Sequence, residues 1–330
     1  MREKILAILL DNKGKYISGQ EISEVVGVTR AAVWKHIKGL REEGYYIESA
    51  TKKGYCLKKV PDILDPFLLT YGLNTNRFGK VVQVYDSINS TNIKAKTLAQ
   101  EGWPEGTLVI ADQQTGGRGR LDRKWASPAG KGAWMSIILK PDLLSPKDAP
   151  QITAMAALAV ARCIYKLYGI KVDIKWPNDI LVEGKKLCGI LTEIQCDPDV
   201  IRYIIVGIGI NVNIGLEEFS GGIRHMATSI GIEKGEYVNR NALIQGVMEE
   251  LEELYLSYIS SCDFAPILEE YKKWCITIGR RVRVIGTDME FEGEAIDFTP
   301  EGHLIIKKDD GTLETVMSGD VSIRGLTDYV

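Results

Sequence analysis

A short segment of the chain, 115–125 with the sequence TGGRGRLDRKW, concentrates positive charge between glycines. Its charged side chains are Arg118, Arg120, Asp122, Arg123 and Lys124. Clustered cations repel one another unless an anion lies among them. Arginine makes forked, planar contacts to phosphate and carboxylate groups, and glycine lets backbone amides approach the same anion. The pattern therefore predicts a loop that orders around the phosphate or carboxylate of a small ligand, rather than a solvated surface loop or an arm for nucleic acid.

A second group of polar residues follows a predicted strand at 171–176, which Pro177 is expected to stop. The polar side chains expected at its carboxyl end, where open sheets bind ligands, are Lys175, Asn178 and Asp179. The segment EGKKLCGIL follows, and a hairpin would bring Lys186 back beside Asn178. Asn211 ends a further apolar strand in the same way. Together these residues predict cations and amides around one pocket.

Three familiar nucleotide-binding motifs explain the sequence less well. The KxDG pattern of lysine-based nucleotidyltransferases occurs at 308–311, where its aspartates and glycine favour a hairpin turn instead. The segment VGIGIN at 206–211 lacks the third glycine of a dinucleotide-binding turn. No GxxxxGKS/T segment occurs, which excludes a P-loop.

The composition is that of an ordinary soluble protein. The 330 residues are 45% hydrophobic and 26% charged, and this length predicts two or three domains. No apolar run approaches the roughly 20 residues that cross a bilayer, and no small-residue cleavage site follows the N-terminal apolar patch. The six cysteines and three histidines lack the spacing of a metal site or a disulfide framework. We therefore expect buried thiols, no protein-bound metal and a cytoplasmic location.

Charge is distributed unevenly along the chain, whose net charge is −3. Residues 1–60 hold 12 of the 41 Lys and Arg residues but only 7 of the 44 Asp and Glu residues. The rest of the chain holds 29 basic and 37 acidic residues. A basic N-terminal part joined to an acidic body predicts that the N-terminal part meets a polyanion.

The N-terminal part has the pattern of a winged helix-turn-helix. Ser18 and Thr29 are the predicted N-caps of two short helices, which Gly27 separates. The second helix is basic outside its apolar stripe, and the alternating segment after it, 45–57, predicts a hairpin wing. A helical bundle with solvated lysines is the alternative. The candidate DNA-binding residues are Thr29, Arg30, Trp34, Lys35 and Lys38.

The whole chain is predicted to be a multidomain α+β protein. Two prolines within 58–67 break both periodicities, so we place the winged helix-turn-helix DNA-binding domain at 1–62. Strands mixed with long helices over 67–276 predict a central α/β mixed-sheet catalytic domain. Short strands with glycine-bearing turns over 277–330 predict a C-terminal SH3-like β-barrel.

Five motifs, in this order and spacing, resemble those of the biotin–protein ligases, whose relatives include the lipoate ligases. They are DSINSTN at 86–92, QTGGRGRLDRKW at 114–125, KWPNDI at 175–180, KKLCGIL at 185–191 and GIGINVN at 207–213. The helix-turn-helix ahead of them resembles that of the bifunctional ligases, which also repress transcription. The resemblance extends over nearly the whole chain, including the C-terminal barrel.

The resemblance implies an activity, cofactors and partners. The family joins biotin to ATP, giving biotinyl-5′-AMP and pyrophosphate, and then transfers biotin to a lysine of a biotin carboxyl carrier protein. Biotin and ATP would be the substrates, and Mg²⁺ would arrive with ATP. The bifunctional form implies a homodimer that binds operator DNA when biotinyl-AMP is bound, and so represses biotin synthesis.

The same resemblance implies roles for individual residues. It implies biotin contacts for Ser90, Thr91, Asn92, Gln114, Arg118, Gly119, Arg120 and Lys186. It implies ATP contacts for Arg120, Arg123, Trp125, Lys175, Asn178 and Asn211. The residues expected at the reacting carboxylate and phosphate, and therefore catalytic, are Arg118, Arg120 and Lys186.

The chain departs from the family pattern at two positions in the basic loop. Asp122 stands where the family usually has glycine, and Gly116 stands where alanine is common. Asp122 is expected to pair with Arg123 or Lys124 in the open loop and to slow its closure. The alternative functions are a lipoate–protein ligase and a transcription regulator that senses a ligand without turning it over.

Overall fold

The computed structural model of the chain describes residues 1–198, 200–286 and 290–318, together with the backbone of 322–325. The chain divides into two compact units, Met1–Tyr71 and Gly72–Val330, here called the N-terminal unit and the second unit. Each unit has its own hydrophobic core.

The N-terminal unit contains the predicted helix-turn-helix and wing. Its elements are α1 (Arg2–Asp11), α2 (Gly19–Val26), α3 (Arg30–Glu42), β1 (Tyr46–Ala50), β2 (Gly54–Lys59) and α4 (Pro66–Thr70). Ser18 Oγ accepts a hydrogen bond from the amide of Glu21, and Thr29 Oγ1 accepts one from the amide of Ala32. These side chains satisfy backbone donors that the first helical turn leaves free. Gly27 ends α2 at φ 75°, a left-handed conformation that glycine adopts without strain.

The N-terminal unit ends at Tyr71, later than the predicted residue 62. The prolines at 61 and 66 do interrupt the chain, but α4 follows them and packs back onto the same core. Leu68 is buried in the cluster formed by the three preceding helices and the wing. The Tyr71 hydroxyl donates to the carbonyl oxygen of Ala7 at 3.2 Å. The apolar residues beyond the prolines therefore belong to this unit.

A seven-stranded mixed sheet forms the centre of the second unit. Its strands are β3 (Val82–Ile88), β4 (Leu108–Gln114), β5 (Gly132–Leu139), β6 (Asp173–Lys175), β7 (Asp179–Val182), β8 (Lys185–Cys196) and β9 (Ile201–Asn211). Their order in the sheet is β3-β4-β5-β9-β8-β7-β6. Neighbours β3 and β4 are parallel, because a helix crosses between them, and the other neighbouring pairs are antiparallel.

Helices cover this sheet and fix its strands. They are α5 (Thr91–Gln100), α6 (Ala149–Tyr168), α7 (Ile230–Lys234), α8 (Arg240–Ser261) and α9 (Ala265–Trp274). Helix α5 packs on β4, β5 and β9, whereas α6 packs on β6 to β9 and against α8 and α9. Helix α6 has an apolar face that is buried along most of its length. In the part of the chain that the structure describes, no helix is both long and apolar enough to cross a membrane.

A separate antiparallel sheet of five strands follows α9, as predicted for the C-terminal barrel. Its strands are β10 (Arg281–Ile285), β11 (Glu290–Phe298), β12 (Leu304–Lys307), β13 (Leu313–Val316) and β14 (Ser322–Gly325), in the order β13-β12-β11-β10-β14. The KxDG pattern forms the turn between β12 and β13, where the amide of Gly311 donates to the carbonyl of Lys308. Gly311 has φ 84°, which explains the glycine without a nucleotidyltransferase role.

Two of the six thiols differ from the expectation that all are buried. Cys196 is half-buried at the end of β8, and Cys262 is exposed just after α8. Cys262 is the C-cap of α8, with a left-handed backbone at φ 52°, and the helix ends there at the surface.

Candidate functional site

A cavity of about 990 Å³ opens over the seven-stranded sheet. It is lined by every residue of the second unit for which the sequence predicted a ligand contact: Ser90, Thr91, Asn92, Gln114, Arg118, Gly119, Arg120, Arg123, Trp125, Lys175, Asn178, Lys186 and Asn211. These residues come from β4, β6, β8, β9, the start of α5 and the two loops that follow β4 and β6. The structure therefore brings together residues that lie more than one hundred positions apart in the chain.

The register of the sheet arranges the cavity floor in two rows. In one row, Lys175 lies opposite Asp179, Asp179 opposite Gly189, and Gly189 opposite Gly209. In the other row, Gly207 lies between Ser136 and Leu191. The rows are two residues apart along each strand, so they share one face of the sheet.

The second row carries a polar cluster at the start of α5. Gln114 Oε1 accepts from the amide of Thr91 at 2.9 Å and from its hydroxyl at 3.1 Å. Ser136 Oγ lies 2.7 Å from Thr91 Oγ1 and 2.6 Å from Asn92 Oδ1. A Cβ on Gly207 would lie 2.1 Å from Asn92 Oδ1, so only glycine leaves room for the asparagine here. Thr91, Asn92 and Ser136 are all buried.

Lys186 lies beside the first row, where its ammonium nitrogen is 2.6 Å from Asp179 Oδ1. The hairpin of β7 and β8 returns Lys186 to the cavity that Asn178 also lines, and a bulge at Leu187 places its backbone opposite Leu181. One extra residue in a strand changes which partner a side chain faces. Asp179 was noticed at the strand end, but the sequence did not identify it as the counter-ion of Lys186.

Trp125 lies across the glycines of the first row. A Cβ on Gly209 would be 2.6 Å from Trp125 Nε1, and one on Gly189 would be 3.1 Å from Trp125 Cζ3. The Lys186 ammonium lies 5.3 Å from the centre of the indole, within range of a cation–π contact. Within VGIGIN, Gly209 therefore makes space for the Trp125 ring and Gly207 for Asn92, and neither forms a dinucleotide-binding turn.

The basic loop contains two residues in the left-handed region of backbone space. Leu121 has φ 54° and Asp122 has φ 52°. A side chain other than the hydrogen of glycine costs free energy in this region, which explains why the family usually has glycine at the position that Asp122 occupies here. Asp122 lies 4.0 Å from Arg118, an i,i+4 pair, and not against Arg123 or Lys124 as predicted. Its side chain is 94% exposed, so the interaction is weak.

Arg120 connects the basic loop to two other parts of the second unit. Its Nη1 donates to Asn178 Oδ1 at 3.2 Å, and its Nη2 donates to the backbone carbonyl of Ser318, after β13. Asn178 is held in turn, because its Nδ2 donates to the carbonyl of Ile190 at 2.8 Å. The C-terminal sheet thus contributes a backbone acceptor to the cavity edge, which no sequence signal predicted.

A segment over 214–227 completes the cavity and was not predicted from the sequence. The residues that it contributes are Ile214, Glu218, Phe219, Ser220, Ile223, His225, Met226 and Ala227. It is attached to β8 because the amide of Lys186 donates to the carbonyl of Met226 at 2.7 Å. Asn211, which ends β9, donates to the carbonyl of Thr228 at 3.0 Å. Lacking a motif or a periodic pattern, this segment gave no signal.

Cys188, two residues after Lys186, is not a nucleophile. Burial raises the pKa of Cys188 far above its ordinary value, and Lys186 only partly opposes this shift. The thiol therefore stays protonated at neutral pH, and a protonated thiol is a poor nucleophile. The site can position and neutralise anions, but it does not require covalent catalysis by the protein.

The candidate DNA-binding residues form an exposed surface in the N-terminal unit. Thr29, Arg30, Trp34, Lys35 and Lys38 are all exposed, on α3 or at its N-cap. The Lys38 ammonium lies 5.9 Å from the Trp34 ring, whose residue is 56% exposed. Arg41 faces elsewhere, since its guanidinium donates to the carbonyl of Ile47 and so ties α3 to the wing. An exposed basic helix with an aromatic side chain fits the major groove of DNA.

Comparison with known proteins identifies the family. Residues 1–56 match the HTH domain family, 84–211 the Biotin/lipoate A/B protein ligase family, and 277–324 the Biotin protein ligase C terminal domain family. The chain is 40% identical to the bifunctional ligase/repressor BirA of Bacillus subtilis over 98% of both chains. It is 30% identical to BirA of Escherichia coli over 97% of this chain and 96% of that one. The chain belongs to the bifunctional ligase/repressor family.

A solved relative supports the same assignment for the second unit. The biotin protein ligase of Aquifex aeolicus, solved with biotin and ATP, superposes with a TM-score of 0.64 at 28% identity. The match covers 74% of this chain and 99% of the Aquifex chain. The family membership confirms the predicted fold class, a DNA-binding domain ahead of a ligase domain with a small C-terminal sheet domain.

Proposed function

We propose that the cavity of the second unit activates biotin with ATP and that the roles predicted for its residues apply here. The observation that carries this proposal is the division of one cavity into two ends. A polar cluster of the buried Thr91 and Asn92 and the half-buried Gln114 lies over one row of the sheet. Cations from the basic loop, β6 and β8 line the other part. The polar cluster suits an uncharged head group, and the cations suit a carboxylate beside a triphosphate.

The reaction needs no protein nucleophile. A carboxylate oxygen of biotin attacks the α-phosphorus of ATP, the bond to the β-phosphate oxygen breaks, and pyrophosphate leaves. Arg118, Arg120 and Lys186 would neutralise the two anions that must approach each other. The neutral amine of a carrier lysine then attacks the acyl carbon of biotinyl-AMP, and AMP leaves. Mg²⁺ would accompany ATP, held mainly by phosphate oxygens.

Biotin fits the polar cluster better than lipoate does. The ureido ring of biotin has N–H donors and a carbonyl acceptor, whereas the dithiolane of lipoate has neither. The donors of the cluster already have protein partners, so the cluster offers a ligand acceptor oxygens, which an N–H group can use and a dithiolane cannot. A cluster of this kind therefore selects a ligand with matching donors and acceptors.

Adenylate formation tests this function. The purified chain is mixed with Mg²⁺, ATP labelled at the α-phosphate, and either biotin or lipoate, and the labelled products are separated. We expect labelled adenylate with biotin alone. Adenylate with lipoate alone would keep the reaction class and change the substrate. Labelled adenylate with neither acid would leave a sensing regulator as the function of the second unit.

We further propose that the N-terminal unit binds operator DNA and that biotinyl-AMP controls this binding. Its exposed basic helix supports contact with DNA, and the cavity that would make the adenylate lies in the same chain. If loop closure on biotinyl-AMP favours a homodimer, two helices can read a palindromic site. Biotin, ATP and Mg²⁺ together should then raise the affinity for the upstream region of the biotin synthesis genes, whereas biotin alone should not. The proposed location of both activities is the cytoplasm.

A further inference from the structure

Beneath the polar cluster, a chain of hydrogen bonds leads from the cavity to Glu193 on β8. Asn92 Nδ2 donates to Glu193 Oε2 at 2.7 Å and to the carbonyl of Leu191 at 3.3 Å. Lys96, one turn further along α5, donates to Glu193 Oε1 at 2.5 Å. Glu193 itself does not line the cavity. Any effect of Glu193 on a ligand is therefore transmitted through Asn92.

The chemistry of these groups fixes the direction of each hydrogen bond. The Glu193 carboxylate, ion-paired with Lys96, and the Leu191 carbonyl only accept hydrogen bonds, so the atom of Asn92 that faces them is the amide nitrogen. The amide oxygen of Asn92 must then face Ser136, whose Oγ lies 2.6 Å away. Since an amide oxygen only accepts, the single hydroxyl proton of Ser136 goes to Asn92.

The direction of the chain determines what Thr91 offers to a ligand. Thr91 Oγ1 lies 2.7 Å from Ser136 Oγ, but Ser136 has no second proton to donate to it. The Thr91 proton instead points to Ser136 or to Gln114 Oε1, and both of these acceptors belong to the protein. With its proton given to one of these oxygens, Thr91 Oγ1 keeps an acceptor lone pair for a ligand in the cavity that Thr91 lines.

We infer that Glu193 is a positioning residue that makes Thr91 a hydrogen-bond acceptor for an N–H group of the substrate. This inference rests on the proposed function and deepens it, because a ureido ring supplies such an N–H. Without the Glu193 carboxylate, only the longer hydrogen bond to the Leu191 carbonyl, at 3.3 Å, opposes rotation of the Asn92 amide by 180°. Ser136 would then accept from Asn92 and give its own proton to Thr91, occupying a lone pair that the substrate uses.

The test replaces the carboxylate of Glu193 by an amide of the same size in the full-length protein. Glu193→Gln should raise KM for biotin about 10- to 100-fold, as expected when one buried hydrogen bond to the substrate is lost. KM for ATP and kcat should stay within about twofold, because Glu193 is remote from the cations that bind phosphate. Adenylate formation is measured at saturating ATP with varied biotin, which gives KM for biotin, and then at saturating biotin with varied ATP, which gives KM for ATP.

A matched control separates this effect from the loss of an ion pair. Glu270 is half-exposed like Glu193 and is ion-paired with Arg162. It neither lines the cavity nor contacts the polar cluster. Glu270→Gln should leave both KM values unchanged. Ser136→Ala removes the hydroxyl that would donate to Thr91, so adding it to Glu193→Gln should return KM for biotin towards the wild-type value, and no return would contradict the role given to Ser136. Glu193→Ala, which also removes the carboxylate, serves as the second variant if Glu193→Gln does not fold.

Three results would overturn the inference. An unchanged KM for biotin in both Glu193→Gln and Glu193→Ala would show that this chain of hydrogen bonds does not affect the substrate. A parallel loss of kcat and of both affinities would indicate a structural role. Wild-type protein that forms an adenylate with lipoate and not with biotin would refute the proposed substrate as well, because a dithiolane has no N–H to donate.

Discussion

The ammonium group of Lys186 and the carboxylate of Asp179 lie 2.6 Å apart, on adjacent strands of the central sheet. The cation that we assign to the reaction centre therefore has a counter-ion before any substrate binds. This pair is largely buried, with side-chain exposures of 25% and 13%. Bringing in a carboxylate and a phosphate adds competing anions for Lys186, so ligand binding and this ion pair are coupled.

Lys186→Ala should reduce adenylate formation by about 100- to 1,000-fold, because the reacting anions lose a neutralising cation. It should also lower the free energy of unfolding by about 3 kcal/mol, since the largely buried Asp179 carboxylate loses its ion pair with Lys186. Adding Asp179→Asn removes that charge and should restore most of the stability without restoring activity. Denaturant unfolding and the labelled adenylate assay separate the two effects. Wild-type turnover in Lys186→Ala would refute the assigned role.

Asp122→Asn should speed the ordering of the basic loop. Asparagine tolerates the left-handed backbone at φ 52° but removes the charge that faces Arg118. For an exposed pair of this kind we expect kcat/KM for biotin to rise about two- to fivefold. Asp122→Glu keeps the charge and is the control, for which no increase is expected. Equal values for Asp122→Asn and wild type would mean that the pairing does not slow closure.

Removing residues 1–71 should abolish operator binding and leave adenylate formation intact. The cut follows the observed end of the N-terminal unit. The Aquifex ligase matches 74% of this chain over 99% of its own length, so a relative about as long as residues 72–330 is a ligase. A fragment 1–71 should unfold at a higher temperature than a fragment 1–62, because the shorter one lacks the buried Leu68. DNA affinity that survives in residues 72–330 would contradict the role of the N-terminal unit.

The ion pair of Arg162 with Glu270 should make stability depend on pH in acid. The hydrogen bond from Arg162 lowers the pKa of Glu270 below its ordinary 4.5, outweighing the effect of burial. As the pH falls, the unfolded chain binds this proton before the folded chain does. The stabilisation is therefore complete above pH 4.5 and is lost as the pH falls through the lower folded pKa. Urea unfolding between about pH 6 and pH 3 should show a shallower decline for Glu270→Gln, and an unchanged slope would contradict this explanation.

Local signals in the sequence were sufficient for many elements of the fold. Ser18, Thr29 and Gly27 predict helix ends because capping depends on a few neighbouring residues. The ligand contacts were found together because five motifs resemble those of a known family. Their assembly into one cavity could be expected from that resemblance, and it agrees with the observed sheet.

Features that depend on distant parts of the chain were not predictable in this way. The partner of Lys186 depends on a bulge in its own strand, where Leu187 is the extra residue, and this changes pairing without a sequence signature. The contact of Arg120 with the carbonyl of Ser318 joins the loop after β4 to the segment after β13, which are 198 positions apart. The end of the N-terminal unit depends on where Leu68 packs, since proline marks an interruption in periodicity but not the limit of a core.

Transfer of biotin to a carrier lysine is the most direct test of the central claim. The full-length chain is incubated with biotin, ATP, Mg²⁺ and a purified biotin carboxyl carrier domain, and the mass of the carrier is measured. We predict that the carrier gains the mass of one biotin at its acceptor lysine, only when ATP is present, and that Lys186→Ala prevents this gain. A carrier that stays unmodified with wild-type protein, under conditions in which a known biotin ligase modifies it, would contradict the account.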